Sequence, residues 1–448
     1  MGITIIQKSD LNTPRRHPKI ALVLAGGGVS GGAFKLGGLL ALNRFMVNQK
    51  STGFDIYVGT SAGAIIAAYL ANGVSVLEIL RSLEGRRPAG DLFPPADRPH
   101  KVPATVRASD LYFPNYLDFF LAPFRMGAAL VDRGPAAAIR LVSRNNLFRR
   151  PFRRRLAHLL RHPSAPAFVR FAQDCLDAGP AAVHRPAIPW GFIPAGLFAT
   201  DRFERALCRS FKTAGLCDDF AELHRRRGKA LYLTATNLNT AERTVFSHEA
   251  HSHVPVSRAV AASIAVPLFY KPVTIDGVDY VDGAVAKTTS IDLAVAKGAD
   301  LILCYNPFRP FNHDSYCRLN EGGERRPCIA HDGIYAVLNQ VMRTLIHTRL
   351  MNGLELRRAN PEFQGDIILI EPSEYDDRFF DMNPLAFGER RRAARRGYES
   401  VKAAIGEHYP ALKRILNAYG IDTSPRFLKD PPPTPTPYIN TLYDNIQV

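Results

Sequence analysis

Between Ile20 and Ala71, a short run of branched apolar residues twice gives way to a glycine turn and then to a helical pattern, and no other feature constrains the fold as much. Ile20 to Leu24 leads into Ala25-Gly26-Gly27-Gly28-Val29-Ser30-Gly31-Gly32, after which Ala33 to Met46 has helical periodicity. Phe54 to Val58 leads into Gly59-Thr60-Ser61-Ala62-Gly63, and Ala64 to Ala71 continues as an apolar helix ending at Asn72-Gly73. Two successive strand–turn–helix units require strands that pair in parallel beneath covering helices. The expected class is therefore α/β, three-layered, with a mostly parallel central sheet flanked by helices.

Later segments extend the pattern. Ala230 to Thr236, Arg243 to Phe246, Val278 to Val281 and Leu301 to Tyr305 read as strands, followed by an amphipathic helix over Tyr335 to Leu356 and a strand over Asp366 to Glu371. A basic helix is expected from about Glu389. The expected organisation is a polar segment at 1–19, a catalytic domain at 20–305, a helical extension at 306–430 packed on that core, and a Pro-rich tail at 431–448. The catalytic domain carries a basic insertion, rich in Pro and aromatic residues, at about 86–193, read as a cap.

Ser61 stands at the centre of a GxSxG pattern between a strand and a helix, the setting in which a serine hydroxyl is held above a sheet. Gly59 and Gly63 allow the sharp turn, and the helix N-terminus beneath favours developing negative charge. The bland alternative is a helix cap. Gly26, Gly28 and Gly31 also match GxGxxG after a strand, but a dinucleotide site wants an acidic residue at the end of the second strand. Here Asp55 opens that strand and Ser61 follows it, and no Gly-Lys-Ser/Thr is present for a P-loop. What remains for Gly26, Gly27 and Gly28 is either close packing or a set of backbone N–H groups aimed at an oxyanion.

A serine needs a base. Of the 13 histidines, His248, His251 and His253 lie in a polar, turn-like stretch and read as exposed loop residues rather than catalysts. Asp282, in Tyr280-Val281-Asp282-Gly283-Ala284, is a carboxylate in a constrained turn, although Asp-Gly is by itself a common turn former.

The glycine loop, Gly-Thr-Ser-Ala-Gly and the Asp-Gly-Ala turn, in this order and joined by Ala262 to Pro272, together resemble the patatin-like phospholipase family. The resemblance covers roughly 20–75 and 230–305. It implies a Ser61–Asp282 dyad in place of a triad, an oxyanion loop at Gly26, Gly27 and Gly28, fatty-acyl ester substrates, and a reaction needing neither metal nor cofactor. Ser30 departs from the family, whose members often carry Lys or Arg there.

Charge adds a partner. A formal net charge of +16 favours anionic surfaces. From Arg133 to Gln173 there are ten Arg and no Asp or Glu, interleaved with Leu141, Val142, Leu147, Phe148 and Phe152, a pattern suited to peripheral contact with an anionic membrane or to a solvated cap face. No nucleic-acid module is recognisable, and no nucleic acid is expected as a partner. The six Cys have no CxxC spacing, and neither an export signal nor an apolar run long enough for a membrane span is visible. The expectation is a cytoplasmic protein, peripheral on the inner membrane face. The alternatives to a lipid acyl hydrolase are a lipid-surface binding protein and an acyltransferase using the same dyad.

Overall fold

The computed structural model describes residues 2–13, 15–84, 107–115, 118, 195–319 and 328–429. Most of the insertion, including the Arg133 to Gln173 run, and the Pro-rich tail lie outside the described residues. The chain forms two compact units, one of Met1–Phe113, Thr200–Pro267 and Pro272–Val448, the other of Pro114–Ala199 and Leu268–Lys271.

In chain order the strands are β1 (Ile3–Ile6), β2 (Ile20–Leu24), β3 (Ile56–Thr60), β4 (Gly196–Phe198), β5 (Ala230–Asn237), β6 (Arg243–Phe246), β7 (Leu268–Tyr270), β8 (Val273–Ile275), β9 (Val278–Asp282), β10 (Leu301–Tyr305) and β11 (Asp366–Ile370). In the smaller unit β4 and β7 pair in parallel, with the Phe198 and Tyr270 rings 5.9 Å apart. The larger unit holds a sheet in the order β1-β11-β10-β2-β3-β5-β9-β8, with β6 added on β5. Its centre, β11-β10-β2-β3-β5, is parallel and its edges are antiparallel. That is the expected α/β architecture. The five central strands are buried along nearly their whole length, as a sheet covered on both faces demands.

Alternation along the strands sorts the two faces. Val23, Val58, Ile302, Cys304, Ile367 and Leu369 belong to one core with Leu293, Leu350 and Leu354. Leu303, Ile368 and Ile370 line the other, against Leu42 and Phe45 of the first helix. The strand at Ile3–Ile6 was not expected in a segment read as polar. Its Ile3, Ile5 and Ile6 pair antiparallel with β11, and Asp366 secures the exit by accepting from the N–H groups of Lys8 and Ser9 and from Ser9 Oγ.

Helix α1 (Gly28–Phe45) follows the first glycine turn, and α2 (Ala62–Ala71) follows the second. Among the described residues no helix is long and apolar enough to cross a membrane. α1 is gripped from outside by the Arg390–Glu407 helix at a backbone-to-backbone crossing. A Cβ on Gly397 would fall 1.9 Å from the Phe34 carbonyl oxygen, and one on Gly37 would fall 1.8 Å from that of Ala394. Phe34 also packs against Phe379, with ring centroids 4.1 Å apart. The C-terminal third thus clamps the helix whose start carries the glycine loop.

This crossing yields a paired test. Gly397→Ala should destabilise the fold by on the order of 3 kcal/mol, because the obstructing atoms are backbone and cannot move aside. Gly406→Ala, on the same helix, meets nothing nearer than Leu428 Cδ2 at 3.8 Å and should stabilise by up to about 1 kcal/mol. Urea unfolding of the two variants should shift the midpoint in opposite directions.

Candidate active site

β3 ends at Thr60, and the chain turns at Ser61 with φ 55° and ψ −128° before α2 starts at Ala62. That conformation is unfavourable for a residue with a side chain, by about 1–3 kcal/mol, so its surroundings must hold it. The Ser61 N–H donates to Ser263 Oγ at 2.8 Å, and Ser263 Oγ donates onward to the Thr234 carbonyl at 2.7 Å. Gly63 lets α2 start against the end of β2, since a Cβ there would come 2.2 Å from the Leu24 carbonyl oxygen. Gly59 lies against Ala64 on the other side of the turn.

Register then sets the position of Asp282. Thr60 pairs with Thr234 and Asp282 with Ala235, so Ser61 and Asp282 flank β5, with backbones two strand spacings, about 10 Å, apart. Their side chains approach each other across the gap, close enough for the Ser61 hydroxyl to hold the Asp282 carboxyl down. Asp282 Oδ1 also accepts the Ala284 N–H at 2.8 Å. Its backbone is pinned by its N–H donating to the Ala265 carbonyl and by Thr236 Oγ1 donating to its own carbonyl, each at 2.9 Å.

The glycine loop closes the third side. The Ala25 N–H is taken by the Tyr305 carbonyl, and those of Val29 and Ser30 by the Pro384 carbonyl. Between them, the N–H groups of Gly26, Gly27 and Gly28 have no backbone acceptor among the described residues. Gly26 borders Ser61 directly: a Cβ on it would lie 3.3 Å from Ser61 Cβ and 3.4 Å from the Phe308 ring. The loop follows β2, and Pro307 and Phe308 follow β10. These neighbouring strands lead the chain away in opposite directions across the sheet, and it is at the carboxyl ends of such a pair that open α/β sheets place their ligands.

Sequence reasoning missed Lys35. Wholly buried on α1, it donates Nζ to the Gly26 carbonyl at 2.6 Å and to the Ala25 carbonyl. In a planar trans peptide the carbonyl and the following N–H point in opposite directions. Drawing the Ala25 and Gly26 carbonyls to Lys35 therefore turns the Gly26 and Gly27 N–H groups away from it. The signal was present, since Lys35 lies between Phe34 and Leu36 in a helix of glycines and apolar residues. Ser263 was visible only as part of Ala262 to Pro272, with nothing to mark its hydroxyl.

Two buried charges tune each other. Burial lifts the Asp282 carboxyl to about 6, opposed by the Ser61 hydroxyl, the Ala284 N–H and the charge of Lys35. Burial lowers the Lys35 ammonium to about 7, opposed by the charge of Asp282. Ionised Asp282 is thus the dominant form at neutral pH, poised close to the range in which a carboxylate can accept a proton. The three loop histidines are engaged elsewhere. His253 pairs with exposed Asp276 at 2.7 Å, His248 stacks on His224 with ring centroids 4.0 Å apart, and His251 packs beside Phe246. Among the described residues no group of three or more His, Cys, Asp or Glu could hold a metal ion.

The family model described as patatin-like phospholipase matches residues 22–295, more than half of the chain. No curated protein matches it. Among solved structures, the chain is similar to VipD from Legionella pneumophila at 16% identity and TM-score 0.35, covering 91% of this chain and 70% of VipD. It is similar to full-length ExoU of Pseudomonas aeruginosa, solved with SpcU, at 18% identity and TM-score 0.27, covering 82% and 56%. Human GIVD cytosolic phospholipase A2, solved with methyl gamma-linolenyl fluorophosphonate, gives 13% identity and TM-score 0.34, covering 92% and 61%. The chain thus spans less than two thirds of the length of the latter two.

The charge coupling predicts a titration. The Asp282 carboxyl, followed by carbon NMR on protein labelled at Asp, should titrate near pH 6. In Lys35→Met, which keeps the volume but removes the cation, it should titrate higher. An unchanged midpoint would mean that the ammonium does not act on the carboxylate.

Proposed function

Because the chain belongs to the patatin-like phospholipase family, we propose that it is a serine acyl hydrolase cleaving fatty-acyl esters of lipids, of phospholipase A or lysophospholipase type, through Ser61 and Asp282. The observation that carries this reading is the meeting of the Ser61 side chain with a buried carboxylate that accepts the Ala284 N–H and whose backbone is held at both its N–H and its carbonyl. A hydroxyl so placed needs no histidine between it and its base.

The steps follow from the atoms present. Ionised Asp282 takes the Ser61 proton as Oγ attacks the ester carbonyl, and the carbonyl electron pair moves onto oxygen. The Gly26 and Gly27 N–H groups, aimed by Lys35 and without a backbone acceptor among the described residues, receive that oxyanion. Collapse breaks the bond to the alcohol, which leaves with the proton from Asp282. The acyl group stays on Ser61. Water, deprotonated by the same carboxylate, then releases the fatty acid and restores the hydroxyl. Ser263 keeps the strained Ser61 backbone in the attacking geometry through its hydrogen bond to the Ser61 N–H.

A soluble short-chain ester and a fluorophosphonate probe test the proposal. The probe should label Ser61 in the wild type and leave Ser61→Ala unlabelled; folded wild-type protein that resists labelling would favour the lipid-binding reading instead. Ser61→Ala should lower turnover on the order of a millionfold. Asp282→Asn should lower it on the order of ten-thousandfold. Replacing His248, His251 and His253 together by Gln should cost less than roughly tenfold. Since the ionised carboxylate is the active form, kcat/KM should rise with pH through about 6 and then level. A fall in that range, or a dead histidine variant, would overturn the dyad.

A further inference from the structure

The Gly333–Ala359 helix wears its apolar side outward. Ile334, Tyr335, Leu338, Val341, Met342 and Leu345 are each between 48% and 78% exposed, and their spacing of three and four residues sets them along one stripe. The opposite side is buried and includes Arg343, the one charged residue between Gly333 and Leu345. This inverts the usual order, in which charge faces water and the apolar stripe faces the core. In the second half of the helix the order reverts, with Thr348, Arg349, Asn352, Glu355 and Arg358 exposed.

Contacts from both halves tie the helix to the surroundings of the proposed active site. Buried Arg343 donates to the Pro307 and Arg309 carbonyls, each at 3.1 Å, and the Pro307 ring packs against Gly27 and Gly31 of the glycine loop. One turn beyond the stripe, Arg349 donates to the carbonyl of Val285, three residues after Asp282, and Val285 itself is exposed. The helix therefore borders the site from the glycine loop to the Asp282 turn. Between Gly333 and Leu354 it carries no Asp or Glu, and its one acid, Glu355, is paired with Arg358.

We propose that this stripe is where the protein docks on a lipid surface bearing anionic headgroups, the apolar side chains entering the acyl boundary and Arg349 meeting the headgroups. The proposal deepens the lipid acyl hydrolase reading on which it rests, because docking here would present the membrane plane to Ser61. Charge separates this partner from the obvious alternative. A second copy of a chain with net charge +16 is repelled, whereas an anionic bilayer attracts it, and an exposed apolar row without acids adds no repulsion from anionic headgroups.

The full chain should be sedimented with vesicles of phosphatidylcholine containing about one third phosphatidylserine, a fraction chosen to give a strongly anionic surface. The Leu338→Asp, Leu345→Asp double variant should partition at least tenfold more weakly, with turnover of a soluble short-chain ester within about twofold of wild type. Ser61→Ala should bind vesicles as the wild type does, so failure of the hydrolase reading leaves the docking result readable, and the reverse. Leu345→Trp preserves the apolar surface, and its added fluorescence should be quenched by phospholipid with brominated acyl chains. Wild-type partition unchanged by the double variant, or no quenching of Trp at 345, overturns the proposal. So does sedimentation velocity showing a wild-type dimer that the double variant dissolves, which would make the stripe an interface between copies.

Discussion

Ser61 occupies a backbone conformation that almost any surrounding would relax, and the architecture can be understood as what prevents that relaxation. The φ of 55° points its hydroxyl off the end of the sheet, and three strands contribute to holding it there. β2 supplies the Leu24 carbonyl against which Gly63 closes, β5 supplies the Thr234 carbonyl that anchors Ser263, and β9 supplies the carboxylate that the hydroxyl faces. Parallel pairing of β2, β3 and β5 fixes these at one level of the sheet. The strain of about 1–3 kcal/mol is tolerable only because each restraint is itself buried and hydrogen-bonded.

The electrostatics have the same interlocking character. An isolated buried ammonium or carboxylate would surrender its charge, and Lys35 and Asp282 move in that direction by burial alone. Each also stabilises the ionised form of the other, and the glycine loop lies between the lysine and the developing oxyanion. Lys35 thus has two effects that cannot be separated by position: it orients two peptide planes and it biases the carboxylate toward its basic form. Neither requires a charge at position 30, where Ser30 is buried and its N–H is committed to the Pro384 carbonyl.

Much of this was legible from residue order because the informative signals were local. A branched apolar run entering a glycine turn marks a parallel strand whatever follows it, and the central strands and the two helices after the turns emerge, with β3 shifted two residues on to Ile56–Thr60 and the helices starting earlier, at Gly28 and Ala62. Ser61, Gly59 and Gly63 were legible for the same reason, since an elbow is a property of five consecutive residues. Asp282 was legible only through the resemblance, because Asp-Gly by itself speaks of a turn. Its pairing with Ser61 depends on the register of β3, β5 and β9, which lie far apart in the chain and carry no mark of one another.

What escaped was either short or conditional on packing. β1 has four residues in a polar segment and becomes a strand because β11 offers it an edge and Asp366 takes up the N–H groups that follow. Lys35 reads as one cation in an apolar helix until the fold turns the Ala25 and Gly26 carbonyls toward it. The Gly333–Ala359 helix shows the limit most sharply. Its amphipathic pattern was recognised, but a hydrophobic stripe says only that one side avoids water, not what replaces the water. In most helices the protein core does so; here the buried side is that of Ala336, Arg343, Ile346, Leu350 and Leu354, where Leu350 and Leu354 join the core and Arg343 holds the loop after β10. With that side committed to the core and to the loop after β10, the stripe from Ile334 to Leu345 is left facing outward.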